Sequence, residues 1–221
     1  MKPIDLRVYA LIDPEHAGPH DIVELAGLLA EGGATCVQLR DKRGPTRPMV
    51  DRARRIKSLL EPFKVPLLIN DRVDVALASG ADGVHVGQDD MAVDDARRLL
   101  GSEAIIGLSI RTAAQAAAAP LDMLDYVGVG GVFATSSKET SAPPIGVAGL
   151  SGIANIVRGR VPQFPLCGIA GITAENAQRV IAAGADGVAV ISALSLAADP
   201  RCAARRMRAV VDAALGQRNG R

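Results

Sequence analysis

Eight short apolar runs, each followed by a longer segment rich in Ala, Leu and Arg, constrain this chain more than any other feature. The runs are LRVYALI, TCVQLR, VPLLIN, DGVHV, AIIGLS, YVGVGG, PLCGIA and GVAVIS. Each is Val/Ile/Leu-rich and too short for a buried helix. The lack of long polar alternation marks strands covered on both faces, the habit of parallel sheet. Parallel neighbours require crossovers, and the intervening segments supply them, with helices expected near 20–31, 46–61, 71–79, 92–100, 111–118, 149–159, 173–183 and 200–215. Eight such units in 221 residues fit a closed (β/α)8 barrel, a TIM barrel, spanning 1–221 as one α/β domain. An open doubly wound sheet fits less well. Its first strand would lead into a glycine-rich dinucleotide loop, whereas DPEHAGPH follows here without GxGxxG.

Internal echoes agree with that count. ASGADGVHV at 78–86 nearly repeats as AAGADGVAV at 182–190, and EGGATCVQL at 31–39 is a looser copy. Each reads as a helix end, a glycine cap and a strand start. In a barrel these turns belong to the face that carries stability. GPTRP at 44–48 and ETSAPPIG at 139–146 fall just after strands, so they read as loops on the opposite face, not as domain linkers.

Composition removes several classes of function. Aromatics make up 2% of the chain, Trp is absent and the net charge is +1, which leaves neither stacking platforms nor a broad basic surface for nucleic acid. Cys36, Cys167 and Cys202 show neither metal-ligand nor disulfide spacing, and read as small buried hydrophobes in a reducing compartment. No HxH, HExxH or Cys cluster points to zinc, and no GxSxG surrounds Ser109. With no signal-like N-terminus and no membrane-length apolar stretch, the expected location is cytoplasmic.

In a barrel of this kind the active site forms at the C-terminal ends of the strands, and polar residues collect there. Strand 2 ends in Gln38, Arg40 and Lys42, strand 3 in Asn70 and Asp71, and strand 4 carries His85 before Gln88, Asp89 and Asp90. Strand 5 ends in Ser109, and strand 6 runs into Thr135, Ser136, Ser137 and Lys138. By period-two alternation Gln38 and Arg40 share the inward face, while Val37 and Leu39 face the helices. Charge turned inward needs a partner or a ligand. Asp71 and Asp90 form a natural pair for Mg2+, which combines a few carboxylates with phosphate oxygens. Cations beside carboxylates suggest a diphosphate held through a metal. A second anion site is expected at CGIAGI (167–172) and ISA (191–193), the usual phosphate corner after strands 7 and 8. Plainer roles remain open for several of these residues. Asn70–Asp71 or Asp90 can cap the helix that follows, His85 can be a satisfied core histidine, and Tyr126 can simply open a strand.

The ordered set QLRDK, IND, DGVHVGQDD, GLS, DYVGVGGVFATSSK, GIAGI and GADGVAVIS, collinear over roughly 36–193, resembles the thiamine-phosphate synthase family. The resemblance implies an enzyme that joins a hydroxymethylpyrimidine diphosphate to a thiazole phosphate. It implies that Gln38, Arg40, Lys42, Asn70, Ser109 and Lys138 contact the pyrimidine or its diphosphate, with His85 beside the pyrimidine. Asp71 and Asp90 would hold Mg2+, and Thr135, Ser137, Gly171, Ile191 and Ser192 would receive the thiazole phosphate. Three positions depart from the family's usual pattern: Gly131 replaces a frequent proline, TSSK replaces TxTK at Ser137, and IAGI replaces IGGI at Ala170. A sister group that isomerises thiazole phosphate needs neither the diphosphate nor the metal residues. A barrel enzyme acting on a different phosphorylated intermediate would place an acid–base carboxylate or lysine at the strand ends without the metal pair. A non-catalytic barrel would bind a phosphorylated ligand and turn nothing over.

Overall fold

The computed structural model describes residues 4–135, 137 and 142–220. Eight parallel strands close into a barrel in sequence order: β1 (Val8–Ile12), β2 (Cys36–Leu39), β3 (Leu67–Asn70), β4 (Gly83–Val86), β5 (Ile105–Ile110), β6 (Tyr126–Gly130), β7 (Leu166–Ile169) and β8 (Gly187–Val190). Helices α1 (Ile22–Glu31), α2 (Thr46–Leu60), α3 (Val73–Ser79), α4 (Val93–Leu100), α5 (Ala113–Ala118), α6 (Gly146–Arg160), α7 (Ala177–Ala182), α8 (Ser192–Ser195) and α9 (Pro200–Asn219) connect or follow the strands. The sequence did not announce α8, because four residues are too few to show a periodicity. Ser192, expected as the end of strand 8, instead opens this helix.

The alternation expected for QLR holds around the whole ring. Val8, Ala10, Ile12, Val37, Leu39, Leu67 and Ile69 join the large apolar cluster between sheet and helices, whereas Tyr9, Leu11, Cys36, Leu68, Tyr126, Cys167 and Ala189 fill the lumen. Register keeps inward residues abreast: Tyr9 pairs with Cys36, Leu11 with Gln38, Asn70 with His85, His85 with Gly107, and Ser109 with Gly128. Cys36 and Cys167 are buried, but Cys202 is exposed on α9, contrary to the expectation that all three are buried. Among the described residues no helix is long and apolar enough to cross a membrane.

The echoed turns have a specific task at the N-terminal rim. The residue ahead of each even-numbered strand accepts the first free N–H of the preceding odd-numbered strand or its neighbour. Thr35 Oγ1 accepts from Val8 at 3.1 Å, Asp82 from Leu67 at 2.9 Å, Asp125 from Ile106 at 2.9 Å and Asp186 from Leu166 at 3.1 Å. Helix cations then neutralise the three carboxylates: Lys57 on Asp82 at 2.9 Å, Arg97 on Asp125 at 2.8 Å, and Arg158 and Arg218 on Asp186 at 2.8 and 2.9 Å. The glycine after Asp82 and Asp186 is steric, since a Cβ on Gly83 or Gly187 would lie 1.8 Å from Ile105 O or 1.7 Å from Leu6 O. At three of these four positions the carboxylate therefore clamps helix to strand.

Burial ranks the members of that clamp. Asp125 is 4% exposed in its side chain and Asp82 38%. Removing one partner of a buried, hydrogen-bonded ion pair costs about 3 kcal/mol, while a solvated pair contributes about 1 kcal/mol or less. Urea unfolding of Asp125→Ala should thus show a loss of about 3 kcal/mol, well above the loss for Asp82→Ala. Equal losses would refute the ranking.

Candidate active site

Above the apolar floor of the lumen lies a continuous polar chain. Gln38, 1% exposed, donates from Nε2 to Tyr9 Oη. Tyr9 Oη lies 2.8 Å from Tyr126 Oη, which lies 2.8 Å from His85 Nδ1. His85 Nε2 then lies 2.8 Å from Ser109 Oγ. The two tyrosine rings meet edge to face with centroids 5.7 Å apart. Burial pushes both phenols well above the usual tyrosine range, so they keep their protons. Gly107 makes room for this arrangement, since a Cβ there would lie 2.1 Å from Tyr126 Cζ. His85 is buried with both ring nitrogens partnered, as a satisfied core histidine would be, and with Tyr126, Tyr9, Gln38 and Ser109 it belongs to a chain that links β1, β2, β4, β5 and β6.

The ionic residues form the next tier. Arg40 follows β2 and donates to the carboxylate of Asp13, which follows β1 and is 1% exposed. Asp13 also accepts from Glu15 N at 2.9 Å, so its orientation is fixed from two sides. Lys42, 43% exposed, pairs with Asp71. Asp41 turns away: it accepts from Gly44 N at 2.6 Å and pairs with Arg52 at 2.6 Å. QLRDKRG therefore divides into inward Gln38 and Arg40, an exposed Lys42 paired at the rim, and a turn built on Asp41.

Asn70 ends β3 in register with His85, and Asp71 follows it with φ +61°, donating its N–H to His85 O at 2.8 Å. Asp90 accepts from Gly87 N at 2.8 Å. The capping readings for these residues fail. The N-caps of α3 and α4 are Arg72 and Ala92, neither with a side-chain cap bond. Burial is the main cause holding the Asp71 carboxyl above its ordinary range; Lys42 opposes the shift and the neighbouring Asp90 carboxyl adds to it. Two carboxylates close enough to influence each other suit a hard divalent cation. Among the described residues no group of three or more His, Cys, Asp or Glu is placed to hold a metal. A cation on Asp71 and Asp90 would complete its shell with water and phosphate oxygens, as Mg2+ does.

The second tier of anion candidates lies across the barrel. Thr135 Oγ1 accepts from Ser137 N at 3.1 Å, and Ser137 is buried. Lys138 and Ser136 lie outside the described residues. The loop after β6 is laid onto the turn after β7 by Val132 N to Ile169 O at 2.8 Å and Phe133 N to Ala170 O at 3.1 Å. Gly171, at φ +63°, fits because a Cβ would lie 2.3 Å from Ala134 O. Ile191 and Ser192 stand at the start of α8, beyond the neighbouring strand β8. Two of the sequence departures face each other here. Ala170 holds φ +85°, a region costly for a residue with a Cβ. A Cβ on Gly131 would meet the Ala170 Cβ at 3.4 Å.

Sequence reasoning missed Asp13, Tyr9, Tyr126 and Arg111. Asp13 was legible in principle, since LID ends β1 as IND ends β3. Arg111 was not: its guanidinium braces the far side of the β6–α6 loop, donating to Ala142 O at 3.0 Å, 31 residues away in sequence.

The same architecture is found in known proteins. Residues 8–194 match the family model described as thiamine monophosphate synthase. The chain is 47% identical to the thiamine-phosphate synthase of Agrobacterium fabrum over 218 residues, covering 99% of each chain. It is 45% identical to that of Moorella thermoacetica, covering 95% of this chain and 98% of the relative. A solved thiamine phosphate pyrophosphorylase from Pyrococcus furiosus superposes with TM-score 0.84 at 36% identity, covering 96% of this chain and 98% of that one. With most of its length matched by the family model and nearly all of it by these relatives, the chain belongs to the thiamine monophosphate synthase family.

Proposed function

We propose that this chain couples 4-amino-2-methyl-5-(diphosphooxymethyl)pyrimidine with 4-methyl-5-(2-phosphooxyethyl)thiazole, giving thiamine phosphate and diphosphate. The observation that carries the reading is the gathering of Arg40, Lys42, Asp71 and Asp90 on one rim, in a member of this family. An isomerase of thiazole phosphate has no use for that set. The reading includes a single domain over 1–221, phosphorylated small molecules as partners, a cytoplasmic location and a Mg2+ requirement.

The chemistry follows from the residues. The bond between the pyrimidine methylene carbon and the diphosphate oxygen breaks first, and its electron pair leaves with the diphosphate. Arg40 presents a planar fork to that growing charge, and Lys42 with Lys138 adds point charges. Asp13 keeps the Arg40 guanidinium in place while it does so. Asp71 and Asp90 would hold Mg2+, which when bound neutralises diphosphate oxygens and improves the leaving group. Gln38, Asn70, His85 and Ser109 border the pyrimidine, and Thr135, Ser137, Gly171, Ile191 and Ser192 receive the thiazole phosphate. The thiazole nitrogen, held near the methylene, donates its lone pair to the cation and closes the new C–N bond. No protein nucleophile enters the sequence.

Incubation of the protein with both substrates and Mg2+ should release diphosphate and thiamine phosphate in equal amounts; no coupled product would overturn the reading. In Asp71→Asn/Asp90→Asn, half-activation should need at least roughly tenfold more Mg2+. An unchanged Mg2+ dependence would remove both carboxylates from that role.

A further inference from the structure

We propose that Tyr9 and Tyr126 are positioning residues: their hydrogen-bond chain across the lumen fixes His85 as the Nε2–H tautomer, leaving the Ser109 hydroxyl to donate to an acceptor nitrogen of the heteroaromatic substrate. The inference rests on the proposed function for the identity of that substrate, and on the Gln38 amide orientation and the distances along the chain for the tautomer.

Proton counting gives the direction. Gln38 turns Nε2 toward Tyr9 Oη and leaves its buried Oε1 without a partner among the described residues, so Tyr9 Oη accepts the bond and the order of donation along the chain follows from this amide orientation. A phenol has one proton, and Tyr9 sends its own toward Tyr126 Oη, 2.8 Å away. Tyr126 in turn sends its single proton to His85 Nδ1, also at 2.8 Å. A neutral imidazole has one N–H, which must then lie on Nε2, facing Ser109 Oγ at 2.8 Å. Ser109 accepts that bond, and its own proton points elsewhere. Tyr9 and Tyr126 are at most 1% exposed, which keeps bulk water from scrambling the order. Their phenols, raised by burial, do not lose the protons that define it.

The chain also explains a placement that packing alone does not. A small lumen can be filled with aliphatic side chains, as in its lower tier of Leu6, Leu68 and Ile105. Instead both tyrosines of the protein meet at its centre, and a glycine on β5 yields the space Tyr126 needs. Ordered polar groups in a dry interior specify one arrangement more sharply than an apolar core does.

The tautomer is read directly by 15N-resolved NMR of the imidazoles in the free protein, which has only three histidines. The wild type should show His85 protonated at Nε2 and bare at Nδ1. Tyr126→Phe, which keeps the ring and loses the hydroxyl, should give a mixture of both tautomers. It should also weaken binding of the aminopyrimidine diphosphate with Mg2+ roughly tenfold, about one hydrogen bond. That loss should vanish in a Ser109→Ala background, because a residue acting through Ser109 has nothing left to position. A wild-type His85 protonated at Nδ1, an unchanged tautomer in Tyr126→Phe, or a binding loss that persists undiminished in Ser109→Ala would each overturn the proposal. The NMR result does not depend on which reaction is catalysed, so it separates failure of this inference from failure of the coupling assay.

Discussion

Eight parallel strands closed on themselves leave a lumen that only inward side chains can fill, and every other feature of this protein is arranged around that constraint. Strand alternation sends one residue in two to the helices and the next to the lumen. Because the register keeps inward residues abreast, the lumen is stacked in tiers. Leu6, Leu68 and Ile105 form an apolar floor, Tyr9, Tyr126 and His85 a polar middle, and Arg40, Lys42, Asp71 and Asp90 an ionic rim. Polarity thus rises toward the C-terminal ends of the strands.

The rim balances its own charges. Arg40 rests on Asp13 and Lys42 on Asp71, so neither cation is left buried and unpaired. The two pairs differ in a way that matters for function. Asp13 is almost fully buried and anchored by a second bond, so Arg40 keeps its partner and offers its remaining donors. Lys42 is more exposed and on a flexible stem, and under the proposed function it would exchange Asp71 for phosphate oxygens while a cation takes Asp71. The opposite rim shows the contrast, with Asp82, Asp125 and Asp186 tying strand N–H groups to helix cations.

Much of this was legible in the sequence because strand length and alternation are local signals. The eight runs placed the eight strands, and the inward reading of Gln38 and Arg40 followed from period two. The repeats were read as stability turns, and Asp82 and Asp186 bear that out. Asp125 performs the same task without the glycine-rich approach that made the others visible. What remained hidden depends on contacts between distant residues. Tyr9 and Tyr126 are 117 positions apart, and nothing near either one signals the other. For Asp71 and Asp90 the sequence left a capping role open beside the metal-pair reading, and only the structure showed that the caps of α3 and α4 are Arg72 and Ala92.

The central claim is that the ionic rim exchanges its internal partners for a diphosphate and a divalent cation. A crystal structure with the aminopyrimidine diphosphate and Mg2+ tests it most directly. The account predicts diphosphate oxygens on Arg40 and Lys42, Asp71 released from Lys42, and the metal on Asp71 and Asp90. A diphosphate bound elsewhere, with the Lys42–Asp71 pair intact, would contradict it.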